Sequence, residues 1–106
     1  MTQEKQINVM ELHKEFNKGS ITIIDVREPN ELKICKIAGS ISIPLNRIPS
    51  KLDMFEESKK YAIICHSGFR SKIATDYLEN RGFDCYNVSG GIDSWAETID
   101  NTMNRY

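Results

Sequence analysis

At 106 residues the chain is long enough for one domain with its own core and too short for two. A net charge of −1, with 27% charged and 40% hydrophobic residues, gives nucleic acid and anionic membranes no general hold and suits a soluble globular protein. Three cysteines, an odd number without paired zinc-ligand spacing, and the lack of any apolar run of membrane-spanning length fit a reducing cytoplasmic setting with no metal.

Residues 1–6 are polar, lack the apolar core of a signal peptide and read as a loose end. Ile7 opens a short apolar stretch, and Asn8 suits the N-cap of a helix. Val9, Leu12, His13 and Phe16 recur at helical spacing as far as Lys18-Gly19, a fitting helix end. His13 has no second His or Cys in register, so it reads as a packed or surface histidine. Residues 21–26 form a nearly continuous apolar run, the pattern of a strand covered on both faces. Asp25 and Arg27 close that strand, as substrate contacts or as an ion pair bracing nearby loops.

Pro29 opens a short helix. Residues 41–43 read as a strand ended by Pro44, and Ile48, Leu52 and Phe55 give residues 46–55 a helical face, interrupted or begun near Pro49. Lys59 and Lys60 read as a solvated turn. Residues 83–88 are the last core strand, Gly90-Gly91 a tight turn, and 92–99 a helix; the polar segment after Asn101 is expected to fray. Strands alternating with helices predict an α/β fold with a mainly parallel sheet and helices on both faces. Sites in such sheets form beyond the carboxyl ends of the strands, where Asp25, Arg27 and Cys65 all fall.

The most informative stretch is residues 61–71. Tyr61 to Ile64 form a short buried strand, Cys65 follows at once, and Ile73, Ala74, Tyr77 and Leu78 repeat at helical spacing until Asn80-Arg81-Gly82. A loop between a strand end and a helix start turns unpaired N–H groups toward one point, which favours a thiolate over a thiol. Gly68 permits a positive φ, so the loop can curl its amides inward. Arg70 adds a permanent charge with a fork of donors. A lone cysteine after an apolar strand is usually a small buried hydrophobe, but the Gly and Arg at loop spacing favour a reactive Cys65.

Cys65-x-x-Gly68-x-Arg70-Ser71 resembles the active-site loop of the rhodanese family of sulfurtransferases. Three further stretches resemble family segments in the same order: Asp25-Val26-Arg27-Glu28, Ile37-Ala38-Gly39-Ser40-Ile41-Ser42-Ile43-Pro44, and Gly90-Gly91-Ile92-Asp93-Ser94-Trp95. They cover roughly residues 5–100 of a single domain taken as 1–106. One departure stands out: Cys35-Lys36 replaces the usual Gly-His. The resemblance implies a rhodanese-like domain, with Asp25 and Arg27 as a supporting ion pair.

It also implies that a sulfane sulfur moves from an anionic donor such as thiosulfate, through a Cys65 persulfide, to cyanide or a thiol, without a cofactor. His66, Ser67, Gly68, Phe69, Arg70 and Ser71 would line the donor pocket. Arg70 would steady either the donor or the loop, and His66 would act as a base or shape the mouth. The rival reading is a phosphatase or arsenate reductase, whose loops place five residues between Cys and Arg where four intervene here. A third is a binding module without catalysis, in which the Cys is usually lost. Cys85 reads as packing, and Cys35 as a partly buried thiol or a second thiol at the site.

Overall fold

The computed structural model describes residues 5–106. Five parallel strands form one sheet in the order β1-β5-β4-β2-β3, where β1 is Gln6–Ile7, β2 Thr22–Asp25, β3 Ile41–Ser42, β4 Lys60–Ile64 and β5 Asp84–Val88. The helices are α1 (Val9–Asn17), α2 (Pro29–Leu32), α3 (Phe69–Glu79) and α4 (Gly91–Thr98). No helix among the described residues is long and apolar enough to cross a membrane.

Side chains alternate across the sheet and so divide the interior into two cores. On one face Ile23, Ala62, Ile64 and Val88 pack with Val9 and Leu12 of α1 and Ile92 and Trp95 of α4. On the other, Ile24, Tyr61, Ile63, Cys65 and Cys85 pack with Ala74 and Leu78 of α3 and with Ile48. The continuous apolar runs of β2 and β4 have this cause: a strand covered on both faces has no polar side to show. Register is fixed at the centre, with Asp25 opposite Ile64, and the Val26 N–H donates to the Ile64 carbonyl at 3.0 Å. The chain therefore leaves β2 and β4 side by side, carrying Arg27 and Cys65 to one end of the sheet.

Most expected elements fall within a residue or two of their positions, and Asn8 caps α1 through its side chain, which accepts from the Glu11 N–H at 2.8 Å. Three expectations need correction. The helix expected over 46–55 is interrupted as anticipated, at Lys51 just after Pro49, but it is a 3-10 segment, Leu45–Met54. Pro49 inside it has no N–H to offer an α-helical ladder. The loose end expected over 1–6 is ordered from its fifth residue: Gln6 belongs to β1, and the Lys5 carbonyl accepts from the Asn87 N–H, while residues 1–4 lie outside the described part.

The third concerns the polar segment after Asn101, which docks instead of fraying. Asn104 donates to the Ile34 carbonyl at 3.4 Å, Arg105 pairs with Asp93 at 2.9 Å, and Tyr106 reaches Arg27 and Glu31. Its polarity matches polar partners around the sheet end, which hydrophobic patterning does not register. In a smaller adjustment, Lys60 opens β4, while Lys59 pairs with Glu56 at 2.9 Å on the surface.

Candidate active site

Cys65 is the first residue beyond β4 and is only 1% exposed. Its Sγ accepts the Gly68 N–H at 3.1 Å and lies 3.3 Å from the Ser71 hydroxyl. Gly68, at φ 116°, is the N-cap of α3, in a conformation that L side chains rarely adopt. Burial alone would push the Cys65 thiol up. Hydrogen bonds from the Ser71 hydroxyl and from the Ser71, Gly68 and Ser67 N–H groups outweigh it and hold the pKa below that of an ordinary thiol.

The loop is held from the other side by α4. Its Ile92 N–H donates to the Cys65 carbonyl at 2.8 Å and its Asp93 N–H to the His66 carbonyl at 3.1 Å. These are N-terminal donors with no partner inside their own helix. The approach needs Gly91: a Cβ there would sit 2.4 Å from the His66 carbonyl oxygen and 2.5 Å from that of Cys65. At Gly90 a Cβ would meet the Ser94 side chain, whose Oγ can rotate away but whose Cβ, 2.7 Å off, can move only with the backbone of α4. The pair reads in sequence as a tight turn; its second glycine is a docking contact for the cysteine loop.

Charge around the loop is arranged in pairs. Arg27 is fully buried and grips Asp25 through Nε and Nη2, at 2.8 to 3.1 Å. Its remaining donors reach the Cys35 carbonyl at 2.8 Å and the Tyr106 hydroxyl at 3.0 Å. Burial works against the Arg27 charge, but Asp25 and Tyr106 together hold its proton more firmly than usual. Arg70 points both arms of its fork at Glu31, at 2.6 and 2.8 Å. That guanidinium, helped by the Tyr106 hydroxyl donating at 2.7 Å, lowers the Glu31 pKa to about 2. Burial pushes the Tyr106 phenol up to about 12, so it stays a neutral link between Arg27 and Glu31.

The remaining loop residues fall around this centre. The His66 ring lies flat against Tyr106, centroids 4.0 Å apart. Ser67 is exposed, and Phe69, at the start of α3, is 75% exposed. Cys35 is half-buried and lines a small cleft with His66, Ile92 and Tyr106; its sulfur lies 3.7 Å from Arg27 Nη1. Cys85 is buried in β5, where burial pushes its thiol up to about 12. His13 stands edge-on to Trp95, far along the chain from the cysteine loop. No group of His, Cys, Asp and Glu among the described residues could hold a metal ion.

Three participants escape a sequence reading: Glu31, Tyr106 and Asn87. Glu31 had one local signal, since with Glu28 it forms a capping box at the start of α2. Tyr106 and Asn87 had none, because their partners lie far away in sequence.

A rhodanese-like domain profile matches residues 8–98, and the chain belongs to the rhodanese-like domain family. It is 34% identical over 92 residues to the predicted sulfurtransferase YtwF of Bacillus subtilis, covering 86% of this chain and 89% of that one. A rhodanese-related protein of Thermoplasma volcanium superposes with a TM-score of 0.83 at 40% identity, over 90% of this chain and 93% of the other. The rhodanese-like domain protein of Staphylococcus aureus gives 0.83 at 32% identity, over 96% and 98%. Five further curated relatives are longer proteins, of which this chain spans between 25% and 42%. These likenesses support a sulfurtransferase role.

Two predictions follow from the loop's supports. Both Gly90→Ala and Gly91→Ala should be destabilising in urea unfolding, and Gly91→Ala the more so, by about 1 kcal/mol, since its methyl meets three backbone atoms of the cysteine loop. Equal costs would show that the α4 approach is not what Gly91 serves. The other concerns the single Ser71 hydroxyl proton, which faces Asn87 Oδ1 at 2.5 Å as well as Cys65 Sγ. A thiolate needs that proton, so Asn87 competes for it. The inflection of Cys65 alkylation against pH should therefore fall below wild type in Asn87→Leu and rise above it in Ser71→Ala. An Asn87→Leu inflection at or above wild type would rule out the competition.

Proposed function

We propose that the protein transfers sulfane sulfur through a Cys65 persulfide. The thiolate attacks the outer sulfur of a donor such as thiosulfate; an Sγ–S bond forms, the donor S–S bond breaks, and sulfite leaves with the bonding pair. Cyanide in an assay, or a small or protein-borne thiol in the cell, then takes the outer sulfur and restores the thiolate. Neither step requires a metal or organic cofactor, because sulfur is itself the electrophile. The reading places the protein in a reducing, cytoplasmic setting, where a free thiol persists.

One observation carries the reading: a buried thiol directed at converging N–H donors at the head of a helix, with its pKa held down. In this reading Gly68 and Ser71 stabilise the thiolate and then the persulfide. The N–H groups around His66, Ser67, Phe69 and Arg70 complete the donor cradle, while Asp25 and Arg27 hold the neighbouring loop. His66, pressed against Tyr106, shapes the mouth; a thiolate already favoured needs no general base.

Thiosulfate followed by intact mass measurement should add one sulfur atom to the reduced protein, removable by cyanide as thiocyanate. Cys65→Ser should abolish both without unfolding the protein, whereas Cys85→Ala should keep most of the turnover. Wild-type turnover in the Ser variant would end the assignment. Aryl phosphate should not be hydrolysed measurably. A phosphoryl group brings three equatorial oxygens that need donors, and both arms of Arg70 are already on Glu31. Phosphatase turnover equal to sulfur transfer would favour the phosphatase reading instead.

A further inference from the structure

Resting on the sulfurtransferase reading, we propose that Glu31 sets the class of donor: the site draws sulfur from uncharged or weakly charged organic persulfides in preference to dianionic thiosulfate. Two arginines stand beside the cysteine loop, and each already faces a carboxylate. Arg27 is sealed in the interior against Asp25. Arg70 is the one a donor could reach, with its side chain 30% exposed, but Glu31, 14% exposed, occupies both arms of its fork.

Displacing Glu31 means breaking a cluster rather than a single pair. Its carboxylate accepts two hydrogen bonds from Arg70, one from the Tyr106 hydroxyl and one from the Glu28 N–H at 3.0 Å. Arg70 holds it ionised at any working pH. The charges of Asp25, Arg27, Glu31 and Arg70 sum to zero, so the Cys65 thiolate leaves the group net negative. Thiosulfate would bring two more negative charges into this partly desolvated place, where like charges repel more strongly than in water.

The cleft beside the loop is too narrow to admit even a water, so the discrimination between donors rests on charge rather than on a preformed organic pocket. Its walls combine His66, Ile92 and Tyr106 with Asn104 and the Arg105–Asp93 ion pair, so they add no net charge to the group. With a donor R–S–SH the thiolate attacks the terminal sulfur. The Sγ–S bond forms, the R–S bond to that sulfur breaks, RS⁻ leaves with the pair, and the proton stays on the transferred sulfur. Charge and electrons balance without an oxidant.

The test uses the reduced full chain with either thiosulfate or 2-hydroxyethyl persulfide, following Cys65 persulfide formation by quenched intact mass. Wild type should load from the persulfide at least about tenfold faster. Glu31→Gln should raise the thiosulfate-to-persulfide rate ratio by about tenfold, and Glu31→Asp, which keeps the charge, should leave it near wild type. Using a ratio cancels any general loosening of the loop.

A measurement without variants gives the same information: added salt should raise the wild-type ratio, because screening relieves repulsion between like charges. A ratio that falls with salt, or that Glu31→Gln leaves unchanged, would overturn the donor assignment while sulfur transfer stands. Loading by neither donor would overturn sulfur transfer itself, and this inference with it.

Discussion

The site depends on the contact between the start of α4 and the cysteine loop. Two helix N–H groups donate to the carbonyls of Cys65 and His66, so those carbonyls point away from the thiol and leave the loop's own amides free to turn toward it. An N–H of the loop and a carbonyl of the loop cannot both face the sulfur; α4 decides which does. Without it the carbonyl dipoles would be free to swing inward and disfavour a thiolate. The contact also extends the packing of Ile64 against Ile92 and Trp95 onto the loop, although Cys65 itself turns into the opposite core.

A second constraint is electrostatic and runs as a chain: Asp25, Arg27, Tyr106, Glu31, Arg70. Each link is a hydrogen bond or ion pair of 2.6 to 3.1 Å, and every charge in it has a partner. A fully buried arginine is tolerable only on these terms, since removing one member of such a pair leaves an uncompensated charge inside the protein. The chain links the end of β2 to the start of α3, so the loops after two neighbouring strands move together. It also explains why the segment with Tyr106 stays in place despite its polar composition: its anchor is a phenol between a guanidinium and a carboxylate.

Strand-and-helix order was legible from periodicity because β2 and β4 are covered on both faces and α1 on one. Cys65, Gly68 and Ser71 were legible because the loop is contiguous, so its geometry is written in adjacent letters. Glu31 and Tyr106 were not: the first looks like an ordinary helix-start carboxylate, the second like part of a tail, and only the folded chain brings them to Arg70 and Arg27. The helical segment over 46–55 and its interruption near Pro49 were legible, but its 3-10 character was not. Ile48, Leu52 and Phe55 satisfy helical spacing, yet Pro49 and the break at Lys51 deny the backbone a continuous α-helical ladder.

The sheet order has a bearing on how copies of this protein meet. Its two outermost strands, β1 and β3, are two residues each, while β4, which carries the cysteine, lies in the middle. A strand edge attracts other chains by its row of unpaired N–H and carbonyl groups, and two residues present almost no row. β1 and β3 themselves therefore offer a foreign strand little to pair with. β4, the most apolar of the longer strands, is paired along its length by β2 and β5 and gives crowded copies no edge for cross-β pairing.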